Sequence, residues 1–600
     1  MISLLLAAAL STGTPIPQGA NVAPDGGRLD VTSKALLYNG SPIVPMMGEI
    51  HYSRLPADEW RDQLLKMKEG GVTIVSTYVF WNHHEWERGE YRFDGSRNLS
   101  KFLETVKECG LWAIVRIGPW AHGEVREGGF PDWLVAEAAE RSKAKKGKIS
   151  NVLRTTDAWF MEETRKFWTR LAPEVLPHLW KNGGPVVGIQ LENESRGPWA
   201  YYQELKRLAV ELGYDAPMYT RTGWPRLNGG ERTFGEMIPL YGDYAEGFWD
   251  RQTTSMPNAE YRNAFAMKEV RTSAAIATEQ LGAQKAEDAK GTAQYPYFTC
   301  ELGGGMASSY HRRLVMEPMD AFALGVVKLG SGSNLPGYYM YRGGTNPTDQ
   351  GVPMGESQSD RFTNYNDLPP ISYEFQSPLS EFGVRQKSWW LLRDLGRFCA
   401  KYGGEFALEE PVFTSRNESR RGRFIFHNEY VRRINPSGEC WIGVEENGNI
   451  RRIVDGRHDD GALDDSPVEA DPVVVTPLSV AGNPLPVKLG VNGVATPDPN
   501  AWSTAATWAV ELPEDRNCIL EISYRGDMAR LEADGVPVAD DFYNGDAFRF
   551  ALWRLPEHVV KLDFKVTPWP GGDAIFLDTA PVPALGEASV SRAVSLPQPR

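Results

Sequence analysis

Several short apolar runs in this chain end in polar residues able to do chemistry. Glu49-Ile50-His51-Tyr52 closes the first, Tyr78 to Glu85 (YVFWNHHE) the second, and Trp120-Ala121-His122-Gly123-Glu124 follows the third. The fourth ends in Glu192-Asn193-Glu194, the seventh in Glu301 and the eighth in Tyr339, with Gly343-Gly344-Thr345-Asn346 beyond it. Acids, amides and aromatics recur without a Ser/His/Asp spacing or a His-x-x-x-His pair. That pattern points to acid/base work on a polyhydroxylated ligand. Cleaving a glycosidic bond needs one carboxyl group to protonate the leaving oxygen and another to attack or to activate water. Glu194 and Glu301 are the best-placed pair, each ending an apolar run. Asn193 beside Glu194 can hold a sugar 2-hydroxyl, a contact that strengthens in the transition state. His51 and Arg116 are positioned to brace the carboxylates. His83 and His84 are adjacent on a strand end and so point to opposite faces, which favours sugar contact or support over metal ligation. Trp120, Trp133 and Trp224 are candidate platforms under the leaving group.

What must position these groups is a series of strand-then-helix units. The strand candidates are Pro42–Tyr52, Thr73–Trp81, Leu111–Pro119, Pro185–Glu192, Met218–Thr222, Ile238–Tyr244, Tyr295–Cys300 and Gly337–Tyr341. Helical spacing follows them: Trp60, Leu64 and Met67 after an Asp58 cap, then Leu99 to Val106, then residues 157–178, 201–212, 258–284, 319–328 and 379–402. The strands are continuous apolar runs, as buried parallel strands are. This predicts an α/β fold, a (β/α)8 TIM barrel with its active residues at the C-terminal strand ends. A doubly wound sheet would want a Gly-rich phosphate turn after the first strand, and EIHYSR is not one. Beyond residue 405 the runs become short and alternating, with Asn-Gly at 447–448 and 492–493 and Asp-Gly at 534–535 as turns. These features predict C-terminal β-sandwich (jelly-roll-like) modules. The expected division is a leader at 1–20, the catalytic barrel at 30–403, a β-rich sandwich module at 405–490 and a second sandwich at 500–600, with the Pro-rich stretch 470–499 as a connection.

Composition narrows the partners. Lys plus Arg number 64 and Asp plus Glu 78 in 600 residues, a net charge of −14. So acidic a chain lacks the cationic face that a phosphate backbone demands, which argues against nucleic acid. The Lys-rich run Arg141–Lys148 reads as a solvated loop. With 19 Trp and 23 Tyr, the chain is rich in rings that can stack on sugar C–H faces or fill a core. The five cysteines are scattered with no Cys-x-x-Cys, so no metal site, disulfide framework or cofactor is expected. Met1–Leu10 (MISLLLAAAL) resembles a signal h-region without a basic start and is too short to span a bilayer. The expectation is a secreted or periplasmic protein, otherwise cytoplasmic, with no membrane span; a homo-oligomer is compatible with the sequence.

The stretches GEIHYSR, TYVFWNHHE, RIGPWAHGEVREGGFPDWL, GGPVVGIQLENES and YMYRGGTN, with Ser372–Glu381 (SYEFQSPLSE), resemble glycoside hydrolase family 35, the retaining β-galactosidases. The stretches Tyr524–Asp527 and Ala539–Gly545 look like modules appended to bacterial members. The resemblance implies that Glu194 is the acid/base and Glu301 the nucleophile of a double displacement, with the carboxyl groups about 5–5.5 Å apart. It implies sugar contacts at Tyr78, Gly123, Glu124 and Asn193, with Tyr339 lining the site and β-galactoside or a related glycan as substrate. The chain departs from the family pattern at Gly303, where an aromatic is usual, at Phe375 in place of a second tyrosine, and at Glu49, where a small residue is usual. His122 precedes Gly123. Such changes in polar contacts can shift sugar selectivity. The alternatives are the same machinery acting on a glucosaminide, arabinopyranoside or glucoside, a transglycosylase, and a non-catalytic carbohydrate-binding protein.

Overall fold

A computed structural model of the chain describes residues 12–144, 146–195, 199–221, 237–251, 259–268, 295–456, 470–578 and 580–598. Each of the eight apolar runs contributes one parallel strand: β1 (Met46–Glu49), β2 (Val72–Tyr78), β3 (Trp112–Arg116), β4 (Val186–Asn193), β5 (Met218–Arg221), β6 (Met237–Asp243), β7 (Phe298–Gly303) and β8 (Gly337–Tyr339). They close in the order β7-β8-β1-β2-β3-β4-β5-β6, with β6 bonded back to β7, which is the predicted TIM-type barrel. Both faces of these strands are covered, one by the barrel interior and one by helices, so they need no polar alternation. The first run is split by Pro45. Ser41–Ile43 instead joins a small antiparallel sheet with Leu29–Val31 and Leu36–Tyr38. Leu29, Val31 and Leu36 of that sheet meet Ile74, Ile114 and Val187 near the N-terminal ends of the barrel strands.

The helices form where apolar spacing and caps agree. Trp60–Glu69 buries Trp60, Leu64 and Met67. It ends before Gly71, where a Cβ would stand only 3.0 Å from the Cα of Gly396 in a neighbouring helix. Asn98 caps Leu99–Glu108, and Asp157 caps Ala158–Val175 by accepting the N–H groups of Trp159 and Phe160. A further helix at Asp132–Ala144 has no counterpart among the predicted ones. The run 379–402 is only partly helical. Its helix is Lys387–Phe406, and 379–386 is a loop. Gly383 takes φ 74° there, and the Ser380 hydroxyl accepts from Phe382 and Val384, which competes with helix initiation. The stretch 258–284 is described as a helix only at Ala259–Ala264; residues 269–294, Trp224 and residues 1–11 lie outside the described residues.

After the barrel, strands at 412–413, 418–421, 424–428, 440–446 and 449–455 form one antiparallel meander. Its inner residues Phe424, Phe426, Ile442 and Val444 belong to the same apolar core as the barrel helices. Two further antiparallel sheets follow. One joins 471–472, 589–597, 518–525 and 548–551; the other joins 475–479, 506–510, 562–566, 528–533 and 536–542. Trp508, Ile522, Leu531, Phe550 and Phe564 from both share one core. The segment 471–479, expected in the first module and in a connection, thus pairs with strands of the last one; its alternating Val473 and Val475 pack on that core. The Asn447-Gly448 and Asp534-Gly535 pairs take positive φ at both residues and close hairpins, as their types predict. Among the described residues no helix is long and apolar enough to cross a membrane.

Candidate active site

Side chains from all eight strand ends converge at the C-terminal mouth of the barrel. β7 delivers Glu301, whose pairing with β6 slips in register between Thr299 and Glu301. β4 delivers Asn193 and, one residue on, Glu194; its pairing with β5 slips between Gln190 and Asn193. Such irregularities re-aim side chains at barrel rims. Glu301 is nearly enclosed, its side chain 5% exposed, whereas that of Glu194 is 35% exposed. One carboxylate is thus shielded, and the other is open to water and to a leaving group.

Two guanidinium groups organise the centre. Arg116 (β3) lies over the Tyr78 ring, its Cζ 3.7 Å from the centroid. It donates to Glu301 Oε1 at 2.5 Å, Asn193 Oδ1 at 3.0 Å and Glu49 Oε2 at 3.0 Å. Arg221 (β5) donates from Nε to Glu301 Oε2 at 2.8 Å and reaches Glu194 Oε1 with Nη2 at 3.4 Å. The Tyr78 and Tyr244 hydroxyls approach the two oxygens of Glu301, each at 3.4 Å. Burial alone would push the Glu301 carboxyl up, but Arg221 and Arg116 outweigh it and hold the group below the usual carboxylate range. Glu301 is therefore ionised at neutral pH.

The remaining predicted residues form the surrounding wall. Burial also raises the Glu49 carboxyl, but Arg116, His51 and Ser76 reverse the sign, so the group stays ionised. Burial and the neighbouring arginines Arg54 and Arg116 drop His51 to about 4 despite the opposing Glu49. Its Nδ1 faces Arg54 Nη1 at 3.0 Å, which leaves the proton on Nε2, 3.3 Å from Glu49. Asn193 Nδ2 donates to Ala121 O at 3.0 Å, so the amide is fixed on both sides. The Tyr339 hydroxyl donates to Glu124 Oε2 at 3.1 Å, and the Tyr373 hydroxyl bonds the same oxygen. Burial raises the Glu124 carboxyl. Gly123 sits at φ 57°, where a Cβ would stand 2.5 Å from the Phe80 ring, and both its neighbours His122 and Glu124 also have positive φ. His122 pairs with Glu356 at 2.8 Å.

Arg221, Tyr244, Tyr373 and Glu356 are the residues sequence reasoning missed. Arg221 and Tyr244 stand at the ends of the fifth and sixth runs, where the strand-end rule would have found them. Tyr244 also answers the Gly303 departure: a Cβ on Gly303 would lie 3.0 Å from the Tyr244 ring, so an aromatic from β6 fills that place. Trp120 and Trp133 are packing residues. Trp120 is buried beneath Arg154, and Trp133 packs edge-on against Trp81. His83 and His84 bond Ser53 and Tyr52 behind the site rather than facing it. Among the described residues no three His, Cys, Asp or Glu gather as metal ligands.

Residues 35–399 match the family model described as glycosyl hydrolases family 35. The chain belongs to this family. It is 29% identical over 382 residues to a protein named β-galactosidase from Felis catus, covering 62% of this chain and 48% of the relative. It is 30% identical over 381 residues to the β-galactosidase of Homo sapiens, covering 61% and 47%. A shorter match, 35% over 178 residues and 28% of this chain against 23% of the relative, is to an exo-β-D-glucosaminidase of Thermococcus kodakarensis. The chain spans about half the length of the β-galactosidases it matches. In this family 35 chain the matched segment runs from the N-terminal antiparallel sheet to the last barrel helix and takes in every residue of the site just described.

Proposed function

We propose that this family 35 protein is an exo-acting, retaining glycosidase that releases terminal β-linked galactose. The observation that carries this reading is the pair Glu194 and Glu301 at the ends of β4 and β7 on one rim, the first open and the second enclosed and ionised by Arg116 and Arg221. Glu301 attacks the anomeric carbon while Glu194 gives its proton to the leaving oxygen, and the C–O bond to the aglycone breaks. Water then loses a proton to Glu194 and adds to the same carbon, freeing Glu301. Tyr78, Asn193, Glu124 and Tyr339 are the hydroxyl-binding groups in this reading. All four side chains are buried at the barrel mouth, in keeping with recognition of a single terminal ring.

Initial rates on nitrophenyl β-galactoside, β-glucoside, β-glucosaminide, β-xyloside and α-L-arabinopyranoside test the sugar. A dominant rate on galactoside is expected. Glu301→Gln should abolish turnover while leaving folding and sugar binding near those of the parent, and a deoxyfluoro-galactoside should label Glu301 covalently. Parent-like turnover by Glu301→Gln would refute the assignment. One observation favours a second reading. Glu124 places a buried carboxyl group at the sugar site, which could pair with the ammonium of an amino sugar. The glucosaminide in the panel separates the two.

A further inference from the structure

Arg221 is fully enclosed, and the fold makes room for it. At Gly242 on β6 a Cβ would lie 2.5 Å from Arg221 Nη2 and 2.9 Å from Glu301 Cβ, so the neighbouring strand carries no side chain where the guanidinium lies. The charged and titratable groups around it include Glu301, Glu194, Tyr244 and the buried Cys300 thiol. Arg116 approaches Glu301 from the other side. Arg221 touches both members of the proposed pair.

We propose that Arg221 is a positioning residue that couples the two half-reactions, pairing mainly with Glu301 in the free enzyme and with Glu194 once Glu301 is esterified. The inference rests on the retaining reading above. In the first half, Glu301 is an anion, and Arg221 together with Arg116 keeps it so. When a Glu301 oxygen bonds the anomeric carbon and the aglycone leaves with the proton of Glu194, the ester carries no charge. The Arg221 cation then faces the Glu194 carboxylate without its former partner. At a few ångströms a cation that has lost one anionic neighbour favours the ionised form of the carboxyl group that remains beside it. Glu194 is thereby made ready to take a proton from water when the second half requires it. Release of the sugar restores the Glu301 anion, and the Arg221 charge is again shared.

The test uses the full chain and the nitrophenyl glycoside on which the parent is fastest, with a dinitrophenyl glycoside of the same sugar beside it. The dinitrophenyl leaving group needs no acid, so its kcat reports the deglycosylation step. For Arg221→Gln, the acidic limb of kcat/KM should move up by about one pH unit, since Glu301 loses one of two cations. Deglycosylation should slow by about 10²-fold, the scale of a general-base contribution. Azide, which attacks without a base, should restore turnover and give a glycosyl azide. Arg221→Lys keeps the charge, so the acidic limb should return towards the parent. A single ammonium cannot hold both carboxylates as the two-armed guanidinium does, so azide should still accelerate it. A parent-like pH profile with no azide response in folded variants would overturn the proposal. If Arg221→Gln does not fold, Arg221→Lys decides: parent-like dinitrophenyl kcat without azide acceleration refutes the coupling. Failure of the parent to turn over any glycoside would instead sink the retaining reading.

Discussion

His122 carries a charge that its burial would not sustain alone. Burial lowers the imidazole, but Glu356 at 2.8 Å, with Glu124 and Glu194 nearby, raises it to about 9. A histidine raised on folding contributes stability that is fully present below its unfolded value near 6.5 and lost as pH climbs through about 9. His122→Gln should therefore have a lower thermal midpoint than the parent at pH 6, and the gap should close by pH 10. A gap that does not narrow would show that the pair adds nothing. At this scale much of the site was legible. Glu194, Glu301, Asn193, Glu124 and Tyr339 follow from reading what stands past each strand. Arg221 and Tyr244 obey the same rule, but a cation and a phenol are not the residue types that a search for paired carboxylates selects. Tyr373 was hidden differently. It reaches Glu124 from the short strand Ser372–Tyr373 far along the chain, and only the fold brings the two together.

Among the elements, the short strand Ser372–Tyr373 depends on a strand from the C-terminal sheets. Asp540, on the strand Val536–Phe542, accepts the backbone N–H of Ile371 at 3.1 Å and of Ser372 at 2.8 Å. Ser372 and Thr345 in turn bond Glu381, and Arg554 donates to Thr345 Oγ1 at 2.9 Å while pairing with Glu59. Removing the Asp540 carboxylate strands two buried amides at about 1–3 kcal/mol each. Asp540→Ala should raise KM on the preferred glycoside about tenfold, the scale of 1.4 kcal/mol of weakened Tyr373 and Glu124 alignment, with a smaller change in kcat. An unchanged KM in a folded variant would break this link. The strands themselves were legible because buried parallel strands are unbroken apolar runs. The loop 379–386 was misread as helix because Leu379 and Phe382 imitate helical spacing, although they pack in two different cores.

Across the whole molecule, barrel and C-terminal sheets are joined by buried charge rather than by a linker alone. Arg313 pairs with Asp527 at 2.5 Å, and Arg432 bridges Asp320 at 2.5 Å and Asp578 at 2.7 Å, with both guanidinium groups enclosed. The strand Arg312–Arg313 also pairs in parallel with Phe576–Leu577. Breaking a buried ion pair by removing one partner costs about 3–5 kcal/mol. That is a large share of the roughly 5–15 kcal/mol by which a domain is stable. A chain ending at residue 456 keeps Arg313 but loses Asp527 and Asp578. It should express as insoluble protein or melt well below the parent, measured by solubility and thermal unfolding. A soluble fragment with the parent's midpoint would refute the dependence. None of these long-range pairs was visible in sequence, where Arg313 and Asp527 are ordinary charges more than two hundred positions apart.

The two amides held by Asp540 bear on how this scaffold can be rebuilt. Residues 371–373 and the strand 536–542 form one hydrogen-bonded unit although they lie far apart in the chain. A chimera that imports a sugar-recognition loop from a relative, but keeps the recipient's distal strand, separates a backbone from its cap. Selectivity swaps in this protein should therefore be designed as paired grafts, with donor loop and donor strand exchanged together.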